Sequence, residues 1–154
     1  MTSPYTDTTY AGELETLRER LLLMAGRVED MIARAVQSLV EHDGPLAQKT
    51  LELDARVNRD EVEIDELCVR ILALRQPLAS DLRFISLTLK MVTDLERIAD
   101  LAVNTCERAM DLAPEAPLMA YEPLPRMGEL VQSMVGDAID AFVASNADEA
   151  WEVI

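Results

Sequence analysis

"LETLRERLLLMAGRVEDMIARAVQS", residues 14–38, places Leu14, Leu17, Leu21, Met24, Val28, Met31, Ala35 and Ser38 at alternating steps of three and four. A strand repeats every second residue, so this spacing belongs to a helix with one apolar stripe, held through four heptads. The stripe runs out at "HDGPL", where Gly44 and Pro45 stop the helix. A second helix starts near Leu46 and carries Leu53, Val57, Ile64, Leu67, Ile71 and Leu74, with a gap at Asp60. "RQP" closes it, because a residue before proline is pushed out of the helical region. A third runs from about Leu78 to Leu112, with Leu82, Ile85, Leu89, Val92, Ala99 and Val103 as its seam.

Three long helices joined by short turns pack side by side as an up-down-up bundle, and a 3,4 repeat favours shallow, left-handed crossings. The fold class is all-α. Residues 1–12, polar and threonine-rich, read as a flexible arm, and residues 13–112 as the bundle. Residues 113–124, from the proline-rich "APEAPLMAYEPLP", read as a linker. A fourth helix, 125–154, begins near Pro125, which suits a first helical turn, and is expected to reach the last residue.

That fourth helix repeats the first. A shift of 103 residues puts Met24 on Met127, Val28 on Val131, Met31 on Met134, Ala35 on Ala138, Leu39 on Phe142 and Asp43 on Asn146. The repeat restarts straight after the linker, which favours a second, incomplete copy of the bundle over two amphipathic helices that happen to align. A lone helix leaves its stripe uncovered, so the expectation is a fragment of a longer protein, or a helix that folds back or pairs with another subunit.

Composition narrows the function. Aspartate and glutamate number 29 against 14 lysines and arginines, a formal charge of −15. Such a surface repels phosphate backbones and anionic lipid, which argues against nucleic-acid or membrane-surface binding as the main role. The longest apolar run, "LLLMAG", is too short to span a bilayer, and the N-terminus has no secretory pattern. Cys68 and Cys106 match no CxxC or disulfide framework and read as core residues of a reducing compartment, which implies a cytoplasmic protein. No phosphate loop, nucleophile elbow or His-based catalytic set is present, and His42 reads as a surface residue.

The informative polar positions are acidic. Asp54, Asn58, Glu61 and Asp65 share a stripe beside the second seam, and Glu96 and Asp100 stand one turn apart on the third helix, with Asn104 beyond. Carboxylates at i, i+4 lie about 5–6 Å apart at Cβ and repel unless something cationic sits between them. The spacing alone is not specific: Glu61/Asp65, Glu96/Asp100 and Glu107/Asp111 all have it, about what chance predicts for so acidic a chain. Solvated acidic faces paired with Arg59, Arg97 or Arg108 would explain as much. Glu96 stands out because the period places it on the apolar seam, where a carboxylate needs an arginine, a metal or a proton. With one histidine and no Glu-x-x-His, an all-carboxylate site suits hard cations.

The stretch from Val57 to Asn104, with "VN…E…ID", "RQPLASDLR" and "DLERIADLAVN", resembles the PhoU family of phosphate-uptake regulators. The resemblance implies tandem three-helix bundles in a cytoplasmic, often dimeric protein without enzymatic activity. It also implies negative regulation of the phosphate-starvation response, through a phosphate ABC transporter ATPase and a sensor histidine kinase. The family's E(D)xxxD motifs hold metal. Carried onto this chain they fall on Glu61, Asp65, Glu96 and Asp100, as ligands to iron, manganese or magnesium, while Glu107/Asp111 lies outside the motif. Ala99 stands where the family commonly has glycine, and the second copy's acidic motifs are absent. The alternative is a metal-free helical scaffold whose seams pair with other helices.

Overall fold

The computed structural model describes residues 4–116 and 123–154. Helix α1 spans Pro4–Glu41, α2 Gly44–Arg75, α3 Ala79–Leu112, α4 Pro123–Ala144 and α5 Ala147–Glu152. The first three pack against one another as the expected bundle, and α4 lies along α1. Residues 117–122 of the expected linker lie outside the described residues.

The 14–38 stripe is the centre of the core: Leu17, Leu21, Met24, Val28 and Met31 are fully buried, with Leu14, Ala35 and Ser38 beside them. Each large side chain buried in this way stabilises by about 1.5–3 kcal/mol. Facing them are Val57, Ile64, Leu67 and Ile71 of α2, while Leu74 is 67% exposed, so the α2 stripe ends a turn before the helix does. The gap at Asp60 has a partner, because Arg27 of α1 donates to its carboxylate. Glu13–Arg75, Arg20–Glu63 and Arg27–Asp60 place one ion pair per heptad of α1. Such pairs are worth about 0–1 kcal/mol each, so they set the register of α1 on α2 more than its stability.

Within the three-helix bundle, two expectations need correction. Helix α1 begins at Pro4, so residues 4–12 are helical rather than a flexible arm. The cause is remote in sequence: Tyr10 packs on the core and donates its hydroxyl to Asp81 of α3 at 2.7 Å, and Arg75 holds Glu13 at 2.8 Å. The seam of α3 also runs one stripe over from the expected one. Ile85, Thr88, Val92, Leu95, Ala99, Ala102, Cys106 and Ala109 are buried, again at 3,4 steps, whereas Leu82 is 43% exposed. Leu95 fills the place expected for Glu96, which is half-buried beside it. Thr88 enters the seam because its hydroxyl donates to the Phe84 carbonyl at 2.9 Å, and Ala102 and Cys106 are small enough to hide. These weakly apolar residues conceal the true stripe from a pattern search.

The internal repeat extends to hydrogen bonds. After α1, His42 takes a left-handed φ of 55° and Asp43 caps α2, its Oδ1 accepting from the Leu46 amide. After α4, Ser145 takes φ 55° and Asn146 caps α5, accepting from the Asp148 and Glu149 amides. The amide of Asp43 donates to Ser38 and that of Ala47 to Asp43; the same bonds recur from Asn146 to Ala141 and from Ala150 to Asn146, all shifted by 103. The fourth helix therefore does not reach the last residue, because Asn146 caps a new helix where Asp43 does.

Helix α4 runs antiparallel to α1. A Cβ on Gly128 would stand 2.9 Å from Val36, and one on Gly136 3.2 Å from the Glu29 carboxylate, so glycine permits the close approach at the first of these. Near its other end, Phe142 stacks on Phe84 at 5.1 Å, and the Arg18 guanidinium lies over the Phe84 ring. Unlike their buried counterparts in α1, Met127, Val131 and Met134 are 58%, 46% and 50% exposed. Among the described residues α4 packs mainly on α1 and the short α5, whereas α1 has two full partners in its own bundle.

Candidate metal centre

Helices α2 and α3 are antiparallel neighbours, and both carry carboxylates just outside their buried stripes. Glu61 and Asp65 follow Val57 and flank Ile64; Glu96 follows Leu95, and Asp100 follows Ala99. Each acid is a neighbour of a buried residue along the chain or one helical turn from it, so the packing of the two seams carries the acids toward one another. Glu61, Asp65 and Glu96 are half-buried, and Asp100 is exposed.

Their electrostatics show a shared neighbourhood. Burial pushes the Glu61 carboxyl above its usual range, and the negative fields of Glu96, Asp65 and Asp100 push it further. Burial also raises Asp65, whose Oδ1 is out of contact with solvent and has no hydrogen-bond partner. None of the four acids forms an ion pair among the described residues. Arg97 turns to Asp94 and Arg108 to Asp111, and Arg70, Arg83 and Lys90 form no ion pair with Glu96. The arginine partners that could have explained these positions are engaged elsewhere or unpaired.

Glu61 therefore lies within the field of the other three acids, and Glu61 and Asp65 are the two whose carboxyls burial raises. Asp54, on the same α2 stripe seven residues before Glu61, was not counted in the ligand set. Its Oδ1 is buried without a partner, while its other oxygen accepts from Asn58 at 3.0 Å. The i, i+7 spacing was the available signal. Glu107/Asp111 behaves as a solvated face, with Asp111 held by Arg108 at 2.9 Å.

The donors fit a hard cation in type: all are carboxylate oxygens, one is buried and orphaned, and no cationic side chain neutralises them. The fit is not that of a closed cage, because among the described residues no three acids, histidines or cysteines converge tightly enough to enclose one ion. Four like charges without a counter-charge have no reason to converge.

This arrangement has a pH signature. The raised Glu61 and Asp65 hold protons more tightly in the folded chain than in the unfolded one, so the folding penalty is absent at low pH. It grows as pH rises through the usual carboxylate range and is complete above the raised values. In metal-free protein, Glu61→Gln/Asp65→Asn is expected to raise the thermal midpoint by a few degrees near neutral pH and hardly at all at about pH 4. Scanning calorimetry of both proteins across this range is the check; an equal gain at all pH values would contradict the assignment.

Residues 21–109 match the family profile described as the PhoU domain. The chain is 46% identical over 145 residues to the phosphate-specific transport system accessory protein PhoU homolog of Pseudomonas putida, covering 94% of this chain and 57% of that protein. It is 38% identical over 144 residues to the phosphate-specific transport system accessory protein PhoU of Escherichia coli (strain K12), covering 94% and 60%. The crystal structure of PhoU from Pseudomonas aeruginosa superposes with a TM-score of 0.87 at 45% identity, over 93% of this chain and 69% of that one. The chain therefore spans less than two thirds of the length of these curated relatives.

Proposed function

Because this chain belongs to the PhoU family, we propose that it serves as an accessory protein of a phosphate-specific transport system. In this reading it is a cytoplasmic, dimeric, non-enzymatic regulator that restrains the phosphate-starvation response. It works by contact with the transporter's ATPase and a sensor histidine kinase. The similarity to relatives named as accessory proteins supports the first part. Among the described residues, no helix is long and apolar enough to cross a membrane.

The observation that carries the metal part is Glu61, half-buried with three other carboxylates acting on it and no arginine among its partners. Glu61, Asp65, Glu96 and Asp100 would hold a hard cation such as Mg²⁺, Mn²⁺ or an iron ion. The bound ion would supply the positive charge that this face lacks. The chain's own residues do the positioning: the buried stripes hold α2 against α3, and the orphaned Asp65 oxygen supplies an acceptor already stripped of water.

The second reading, a metal-free helical scaffold, is favoured by the lack of a converged triad and by the open apolar face of α4. One experiment separates the two. The immobilised chain, loaded with Mn²⁺, is expected to retain the purified transporter ATPase and the kinase's cytoplasmic portion saturably, and to lose both in chelator. Retention indifferent to chelator supports the scaffold, and retention of neither partner defeats the accessory reading.

A further inference from the structure

Helix α4 sits on α1 through three unlike contacts. Near its start Gly128 presses on Val36, where a Cβ would stand 2.9 Å away, and near its end Phe142 stacks on Phe84 at 5.1 Å. Between them, Gly136 covers the carboxyl group of Glu29. A Cβ on Gly136 would stand 3.2 Å from one carboxylate oxygen, 3.3 Å from the carboxyl carbon and 3.4 Å from the other oxygen. The first two contacts are apolar. The third sets a half-buried carboxylate of α1 against helical backbone.

That backbone has nothing to give an anion. Gly136 lies in the interior of Pro123–Ala144, where each amide already bonds the carbonyl four residues back, so no N–H replaces the water that Glu29 loses. Nor does a cation. Arg27 pairs with Asp60 and Arg34 with Asp30, and Glu29 forms no ion pair among the described residues. Helix α4 adds like charge instead: Asp137 follows Gly136 and Asp140 stands one turn beyond it, both exposed. Burial therefore raises the Glu29 carboxyl above its usual range, and the fields of Asp140 and Asp137 raise it further.

The other helices packed on α1 bring their charges already paired. Asp60 and Glu63 of α2 are held by Arg27 and Arg20. On α3, Asp94 borders the groove between α3 and α4 and stands 3.8 Å from Arg97. On α4 itself, Arg126 pairs with Glu129, and Ser133 donates to Asp137 at 2.9 Å.

We infer that the seat of α4 on α1 is a pH-sensitive latch. With Glu29 protonated, a neutral group lies against Gly136 and the middle of α4 stays docked. With Glu29 ionised beside Asp137 and Asp140, that middle is pushed away from α1. The docked helix favours the protonated carboxyl, so the opposition is absent below the usual carboxylate range. It grows as pH rises through that range and is complete above the raised value. What the latch moves is the exposed stripe of Met127, Val131 and Met134, which docking holds at a set angle to the bundle. The inference depends neither on metal binding nor on the accessory role.

The test is hydrogen exchange of the whole chain, read by mass spectrometry, with parent and Glu29→Gln side by side at about pH 4 and about pH 7, either side of the ordinary carboxylate range. Comparison at one pH cancels the intrinsic pH dependence of exchange. At the higher pH, amides around the buried Ile139 and Ala141 of α4 are expected to exchange about threefold or more slowly in Glu29→Gln, the factor that two like charges across an interface supply. At the lower pH the two proteins should agree. Amides of α2 should exchange alike in both proteins throughout. Asp137→Asn/Asp140→Asn, which removes the field and leaves the burial, should give part of the gain at the higher pH and none at the lower. Glutamine keeps the size of glutamate, so helical circular dichroism should be the same for all variants. The inference is overturned if Glu29→Gln leaves α4 exchange unchanged at the higher pH, slows it equally at both, or speeds it.

Discussion

The paired substitution Glu61→Gln/Asp65→Asn is expected to weaken Mn²⁺ or Mg²⁺ binding about 100-fold or more while leaving the helical fold intact. Losing an outer-shell partner of a metal site costs about 10–100-fold, and losing two ligands costs at least as much. These two acids carry the largest effect because burial disfavours both as anions, with neighbouring charge adding to it at Glu61. A cation returns the electrostatic energy that their ionisation withholds. The control is Glu107→Gln/Asp111→Asn, with the same spacing on a face where Asp111 already has Arg108, and it is expected to change nothing. Titration calorimetry on chelator-treated protein decides the matter. Equal losses in both variants would mean that the ion responds to net charge, and no loss in either would remove the α2–α3 face from consideration.

Leu21→Ala is expected to destabilise the chain by about 2–5 kcal/mol, the range for a fully buried leucine whose cavity cannot collapse. For a chain of this size that is a fall of roughly 5–15 °C in the thermal midpoint. Leu21 is fully buried near the middle of α1, the helix that packs against α2, α3 and α4 together. A cavity there loosens every helix pair at once, and long helices cannot bend inward to fill it. Leu22, next in sequence but 38% exposed, provides the contrast, and Leu22→Ala should cost well under half as much. Thermal unfolding followed by circular dichroism measures both; similar losses would mean that the 14–38 stripe is not the central seam.

How far the sequence leads can be followed residue by residue. The α1 stripe was legible in full because all but its last two members are large and apolar, and a 3,4 repeat of such residues has one meaning. The α3 stripe was misread because Thr88, Ala102 and Cys106 occupy core positions that their polarity or size does not announce. That error placed Glu96 inside the seam, when Leu95 is there. Periodicity could not weigh the four carboxylates against one another, and only the packed helices show that Glu61 loses its water within the field of the other three. Leu74 and Leu82 fit helical stripes and read as core, yet both are exposed, because the stripes end before the turn.

By itself, then, the sequence determined what local periodicity and backbone chemistry control. These are the three long helices of the bundle with breaks at Gly44–Pro45 and Pro77, and a repeat of 103 residues whose Asp43 and Asn146 caps recur on the same bonds. Tertiary structure alone decided which of two adjacent stripes on α3 is buried, that residues 4–12 continue α1, and which acids lose their water. The physical reason is range. A helix forms from contacts three and four residues apart, whereas burial, desolvation and the meeting of charges depend on partners tens of residues away.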